Sequence, residues 1–116
     1  MTLQRGDIAL ATLPFVTRAG SKLRPVLVVQ NDRNNSRMQN TIVAFITTNL
    51  TRSRQPTQVL IDISTPEGQQ TGLLATSAVS CENLITIRQS QAKWIGKLAP
   101  SLMQQVDAAL RESLGI

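Results

Sequence analysis

The chain has 116 residues, a formal net charge of +5 and 41% hydrophobic residues, enough for one domain with a real core and no room for a second. Histidine is absent and Cys81 is the single cysteine, which excludes an intramolecular disulfide, a zinc-type ligand spacing and the usual neutral-pH general base. No run of about 18 apolar residues occurs and no secretory leader opens the sequence, so a soluble, cytoplasmic protein is expected, with no membrane partner.

In chain order, Asp7 to Leu13 reads as a first strand, stopped by Pro14. Thr17 to Lys22 is a polar loop turning at Gly20. Pro25 to about Gln30 is an apolar run, read as a second strand buried on both faces. Asn31 to Asn40 is rich in Asn, Ser and Arg and reads as a loop with room for one helical turn. Thr41 to Thr47 is β-branched and apolar, a third strand, and Gln58 to Ile63 alternates as a fourth. Thr65-Pro66-Glu67-Gly68 is a turn. Three short strand candidates follow: Leu73 to Ala75, Val79 to Ile87 with interruptions, and Trp94 to Leu98. From Pro100, the apolar residues Met103, Val106, Leu110 and Leu114 recur on one helical face, with Gly115 at the stop and Ala99 as a poor cap. Many short strands and one terminal helix predict a mainly β fold, a small, curved SH3-like barrel with a C-terminal α-helix over residues 1–116.

Charge is unevenly spread. Residues 1–54 hold eight of the twelve Lys/Arg and two of the seven Asp/Glu, leaving four and five for the rest. A basic front half suggests a polyanionic partner. The aromatic residues Phe15, Phe45 and Trp94 lie far apart in sequence, which favours phosphate gripping over a platform that stacks successive bases. Arg24 stands out. Pro25 biases it towards extended backbone, so its guanidinium sits where a strand meets solvent, and its rigid fork matches phosphate oxygens. The ordinary alternative for Arg24 is a surface salt bridge to Asp7 or Asp32. Thr47 ends the third strand on the same face as Val43 and Phe45, with Thr48 expected on the other. Cys81, in an apolar setting, reads as a small core residue.

Three stretches together resemble the MazF/PemK family of endoribonuclease toxins. They are Arg5-Gly6-Asp7-Ile8 with Arg24-Pro25-Val26-Leu27-Val28-Val29; Thr41 to Thr47 with Pro56 to Asp62; and Thr71-Gly72-Leu73 with Ser77, Thr86-Ile87 and Val106 to Leu110. The resemblance covers nearly the whole chain and implies the small-barrel fold, a homodimer and a type II toxin–antitoxin system. It implies a metal-independent, sequence-selective endoribonuclease with no cofactor, cutting single-stranded mRNA to a 2′,3′-cyclic phosphate and a 5′-hydroxyl. A small antitoxin with an acidic, partly disordered segment would neutralise it.

The family's catalytic arginine and threonine fall on Arg24 and Thr47, and Glu82 becomes the candidate general base. Ser80 stands where some members carry an arginine, a departure that removes a second cation. Arg18, Lys22, Arg52 and Arg54 are candidates to track the RNA backbone, and Asn31, Asn34, Asn35 and Asn49 to bond bases. Arg88 replaces an acid that the family often has after Thr-Ile. Two other classes compete. A non-enzymatic toxin of the same fold that poisons DNA gyrase would leave RNA whole, and the polar helix end at Arg111 and Glu112 disfavours it. A passive RNA-binding barrel would bind in a salt-dependent way and yield no product.

Overall fold

The computed structural model describes residues 2–13 and 23–116. The candidates Arg18 and Lys22, the Gly20 turn and the Pro14 stop lie outside the described residues. The chain runs β1 (Asp7–Thr12), β2 (Leu23–Val28), α1 (Asp32–Arg37), β3 (Asn40–Thr47), β4 (Gln58–Ile61), α2 (Pro66–Gln69), β5 (Ser77–Arg88), β6 (Ala92–Lys97) and α3 (Pro100–Leu114). The strands form one antiparallel six-stranded sheet in the order β4-β5-β3-β2-β1-β6. The expected mainly β fold with a terminal helix is present. The sheet ends on the edges β4 and β6, so it is not closed as a barrel.

Apolar side chains are buried on both faces of the sheet, which explains the apolar runs of the central strands. On one face Ile8, Leu27, Ala44, Ile46, Val59, Ile61, Val79 and Cys81 meet Val106 and Ala109 of α3. On the other, Leu3, Ala11, Leu13, Val26, Val28, Val43 and Ile87 pack together with Phe45 and Ile85. Alternate residues of β3 thus serve two cores, Val43 and Phe45 one and Ala44 and Ile46 the other.

Helix α3 starts at Pro100 with no side-chain cap from Ala99 and ends at Gly115, whose left-handed φ of 71° suits glycine. Its seated face is Leu102, Met103, Val106, Ala109 and Leu110, whereas Leu114, expected on that face, is exposed. Arg5 ties the N-terminal segment to β2 and α3. Its Nε donates to the Val29 carbonyl at 2.9 Å and an Nη to Asp107 Oδ1 at 2.7 Å.

Several local expectations are corrected. The loop at 31–40 contains a full helix, α1, because Asn31 caps it: its Oδ1 accepts from Asn34 N at 2.8 Å. The turn at 65–68 is extended into the short helix α2 by the Thr65 hydroxyl, which accepts from Gly68 N at 3.0 Å. Leu73 to Ala75 is not a strand, and Leu74 is 97% exposed. Here Thr71 turns the chain, and Gly96 of β6 lies against it so closely that a Cβ there would stand 2.2 Å from the Thr71 carbonyl oxygen. Strand β5 is one continuous strand whose interruption is a bulge. Where β3 steps by one residue, from Ala44 to Phe45, its partners on β5 step by four, from Leu84 to Ser80. Cys81, Glu82 and Asn83 therefore have no partner on β3, and the strand arches there.

Candidate active site

Two adjoining hollows open where β2, β3 and β5 come together. The first, of about 330 Å³, is lined by Leu13, Arg24, Pro25, Phe45, Ile46, Thr47 and Thr48. The second, of about 410 Å³, is lined by Phe45, Thr47, Asn49, Thr51, Arg52, Gln58, Ser80, Glu82 and Asn83. Phe45 and Thr47 are the wall between them.

Strand pairing explains the first hollow. Strand β2 is paired with β3 as Val26↔Phe45 and Leu27↔Ala44, and just beyond the last of these pairs Arg24 and Thr47 line the same hollow. The guanidinium and the hydroxyl therefore open on a common space. Arg24 is exposed and Thr47 half-buried. The alternative of a salt bridge to Asp7 or Asp32 is not what these acids do. Asp7 Oδ2 accepts from Gln4 N at 2.7 Å and Asp32 Oδ1 from Arg5 N at 2.6 Å, while Arg24 makes no ion pair among the described residues. Thr48 corrects an expectation: it follows the end of β3 and lines the Arg24 hollow rather than facing away. The Thr47 hydroxyl accepts from Asn49 N at 3.0 Å, which leaves its own proton to donate.

The β5 bulge builds the second hollow. It lifts Glu82 to the rim, where Arg52 from the β3–β4 loop meets it side-on: Nε donates to Oε1 at 3.1 Å, and an Nη to Oε2. Gln58 Nε2 also donates to Glu82 Oε1 at 3.0 Å. The hydrogen bonds from Arg52, then Gln58, hold the Glu82 carboxyl down at about 2. Thr57 faces the same carboxylate, although its buried hydroxyl closes no well-aligned hydrogen bond. In return Glu82 holds the Arg52 guanidinium above its usual value, so both stay charged at any ordinary pH. Asn83 Nδ2 donates to the Ser80 hydroxyl at 2.9 Å, on the floor between them.

Other candidates fall elsewhere. Asn31 is spent on capping α1, and Asn49 Oδ1 accepts from Thr51 N and Oγ1 at 3.1 and 2.6 Å. Asn35 is buried in a polar network with Gln30, Thr41 and Gln89. Arg54 is exposed and lines neither hollow. Arg88 stands apart from both, at hollows beside Arg37 and Thr12. Gln58 and Asn83 went unnoticed in the sequence, since nothing local distinguishes them from other amides. Among the described residues no group of three His, Cys, Asp or Glu stands together to hold a metal, and no helix is long and apolar enough to cross a membrane.

Comparison with known proteins settles the kinship. Residues 4–114 match the family described as PemK-like, MazF-like toxin of type II toxin–antitoxin system. The chain belongs to this toxin family. It is 36% identical over 118 residues to the endoribonuclease EndoA of Bacillus subtilis (strain 168), a match that covers 100% of this chain and 97% of the relative. Among solved structures it resembles the Mycobacterium tuberculosis toxin MazF-mt6, with a TM-score of 0.75, 28% identity, and 95% and 97% of the two chains covered. A mycobacterial endoribonuclease in complex with its cognate antitoxin shares the fold, with a TM-score of 0.78 at 24% identity over 98% and 96% of the chains. Family and relatives lend no support to the gyrase-poisoning alternative. The MazF-like toxin fold thus sets the two hollows on one face of the sheet, between the ends of β2 and β3 and the β5 bulge.

Proposed function

We propose that this MazF-like toxin is a metal-independent endoribonuclease of single-stranded mRNA, with Arg24 and Thr47 at its reaction centre. The observation that carries the reading is that Arg24 and Thr47 line one hollow. In the reaction the 2′-oxygen next to the scissile phosphate attacks phosphorus while the P–O5′ bond breaks. The 2′-hydroxyl proton leaves to water at the open site, and the departing 5′-oxygen takes one from water. The products are a 2′,3′-cyclic phosphate and a 5′-hydroxyl, so atoms and charge balance with no redox step.

Charge builds on the non-bridging oxygens as the phosphorane forms, and a guanidinium fork already aimed at them costs little reorganisation. Thr47 donates a further hydrogen bond. Arg24 itself stays protonated and serves as a charge, not as an acid. Glu82, at the rim of the second hollow, completes the site, with Arg52 and Arg54 along the path of the strand. An acidic segment of a cognate antitoxin fits the same basic rim, in keeping with the antitoxin complex of the mycobacterial fold relative. Assembly as a homodimer and a cytoplasmic location belong to the same proposal.

The test is to incubate the purified protein, in EDTA, with a long single-stranded RNA and with matched DNA, and to type the ends. Discrete cuts in RNA alone, ending in cyclic phosphate, are expected from the wild type and are lost in Arg24→Ala. Intact RNA from a folded wild-type protein, or full activity in Arg24→Ala, overturns the reading.

A further inference from the structure

Arg52 presents two edges. The side-on contact with Glu82 uses two of its five N–H groups, at Nε and one Nη. The three that remain have no partner among the described residues, and the side chain is 58% exposed. Arg52 and Thr47 line one hollow, Arg24 and Thr47 the other, and the two hollows share the wall of Phe45 and Thr47. Each hollow therefore has its own guanidinium, with one hydroxyl-bearing wall between them. A single nucleic-acid strand laid across that wall would meet one guanidinium on either side of it.

We propose that Arg52 is a second phosphate-binding residue, gripping the phosphate next to the scissile one, and that Glu82 is the positioning residue that aims it. The proposal rests on the ribonuclease reading above and gives the second hollow its ligand. A long arginine on a surface loop loses much rotamer freedom when it binds. Side-on pairing with Glu82 removes that freedom beforehand, and Gln58 fixes Glu82 in turn. Glu82 accepts three N–H groups, and a carboxylate so fully engaged is a weak base. Its place is behind the arginine, not in the proton path. Ser80 pairs directly with Phe45 on β3 and brings no charge of its own to this floor, so Arg52 is the cation this hollow has.

The test pairs cleavage kinetics with binding of an RNA made uncleavable by a single 2′-deoxy substitution at the scissile nucleotide. Arg52→Ala should lower kcat/KM about 10- to 100-fold, mostly through KM, and reduce the salt slope of binding by about 0.7, the share of one phosphate on a single strand. Arg111→Ala, on the far end of α3, serves as a charge control and should leave both unchanged. Glu82→Gln should raise KM several-fold, keep kcat and the shape of its pH profile, and add nothing in the Arg52→Ala background. A large loss of kcat in Glu82→Gln that persists without Arg52 would make Glu82 a base and overturn the assignment, as would an unchanged salt slope in Arg52→Ala. If the wild type leaves RNA whole, the ribonuclease reading fails by itself, and the salt slope alone then decides for or against the phosphate site.

Discussion

The buried polar network behind α1 makes a quantitative prediction about stability. Asn35 is 2% exposed, and its side chain donates to the Gln30 carbonyl at 3.0 Å. It accepts from Gln30 Nε2 at 2.9 Å and from the Thr41 hydroxyl at 2.7 Å. In Asn35→Leu the volume is nearly kept, but these partners lose their bonds. Gln30 Nε2 retains the Asn40 carbonyl at 3.0 Å, so the two groups most exposed to loss are the Gln30 carbonyl and the Thr41 hydroxyl. A buried polar group left unpaired costs about 1–3 kcal/mol, which gives roughly 2–6 kcal/mol for the pair. That is a large part of the roughly 5–15 kcal/mol that holds a domain together, and it should lower Tm by roughly 8–25 °C for a chain of this size. Adding Thr41→Val removes one orphaned group, so the double variant should recover part of the loss. Thermal melts followed by circular dichroism measure both. A single variant within about 3 °C of the wild type, or a double variant that melts well below the single, would refute the accounting.

Three further outcomes follow from the site. Thr47→Ala should cut kcat about 10²- to 10³-fold, as removing a transition-state donor does, while Thr47→Ser keeps most of the activity; equal losses in both variants would deny the hydroxyl its role. The Glu82 carboxyl is lowered from 4.5 to about 2 in the folded protein, so its stabilisation is fully present above pH 4.5 and fades as pH falls towards 2. Wild type and Glu82→Gln should therefore differ most at neutral pH, with the gap narrowing below pH 4.5 and closing as pH falls through about 2; a gap that stays constant from pH 7 down to pH 2 would contradict the pairing. Burial pushes the Cys81 thiol up to about 11, so a thiol reagent at pH 8 should react only as fast as the chain opens, and rapid stoichiometric labelling of the native protein would contradict its place in the core.

Much of this was open to inspection in the one-dimensional pattern. Strands β1 to β4 and helix α3 follow from runs of apolar and β-branched residues and from Pro100 and Gly115, because burial repeats with the period of the backbone. Arg24 before Pro25 and Thr47 at a strand end were equally legible, since a strand's end is a local property. Helix α1 was half-visible: the Asn31 cap is a local signal, but a polar stretch is indistinguishable from a loop until Asn35 is seen to be buried. Thr48 went the other way, because strand alternation stops where the strand does.

What only the tertiary structure decided are the features that join distant segments. The bulge at Cys81 to Asn83 separates the stretch of β5 that pairs with both β3 and β4 from the stretch that pairs with β3 alone, and no residue within it announces the extra length. The Arg52–Glu82 pair closes over 30 positions and the Leu3–Gln89 bond over 86. Sequence by itself determined most of the strands, the terminal helix and the kinship with the toxin family. It could not determine which loop arginine meets which acid, since ion pairing depends on distance in space, and that distance is set only when the sheet has folded and brought two hollows to either side of one threonine.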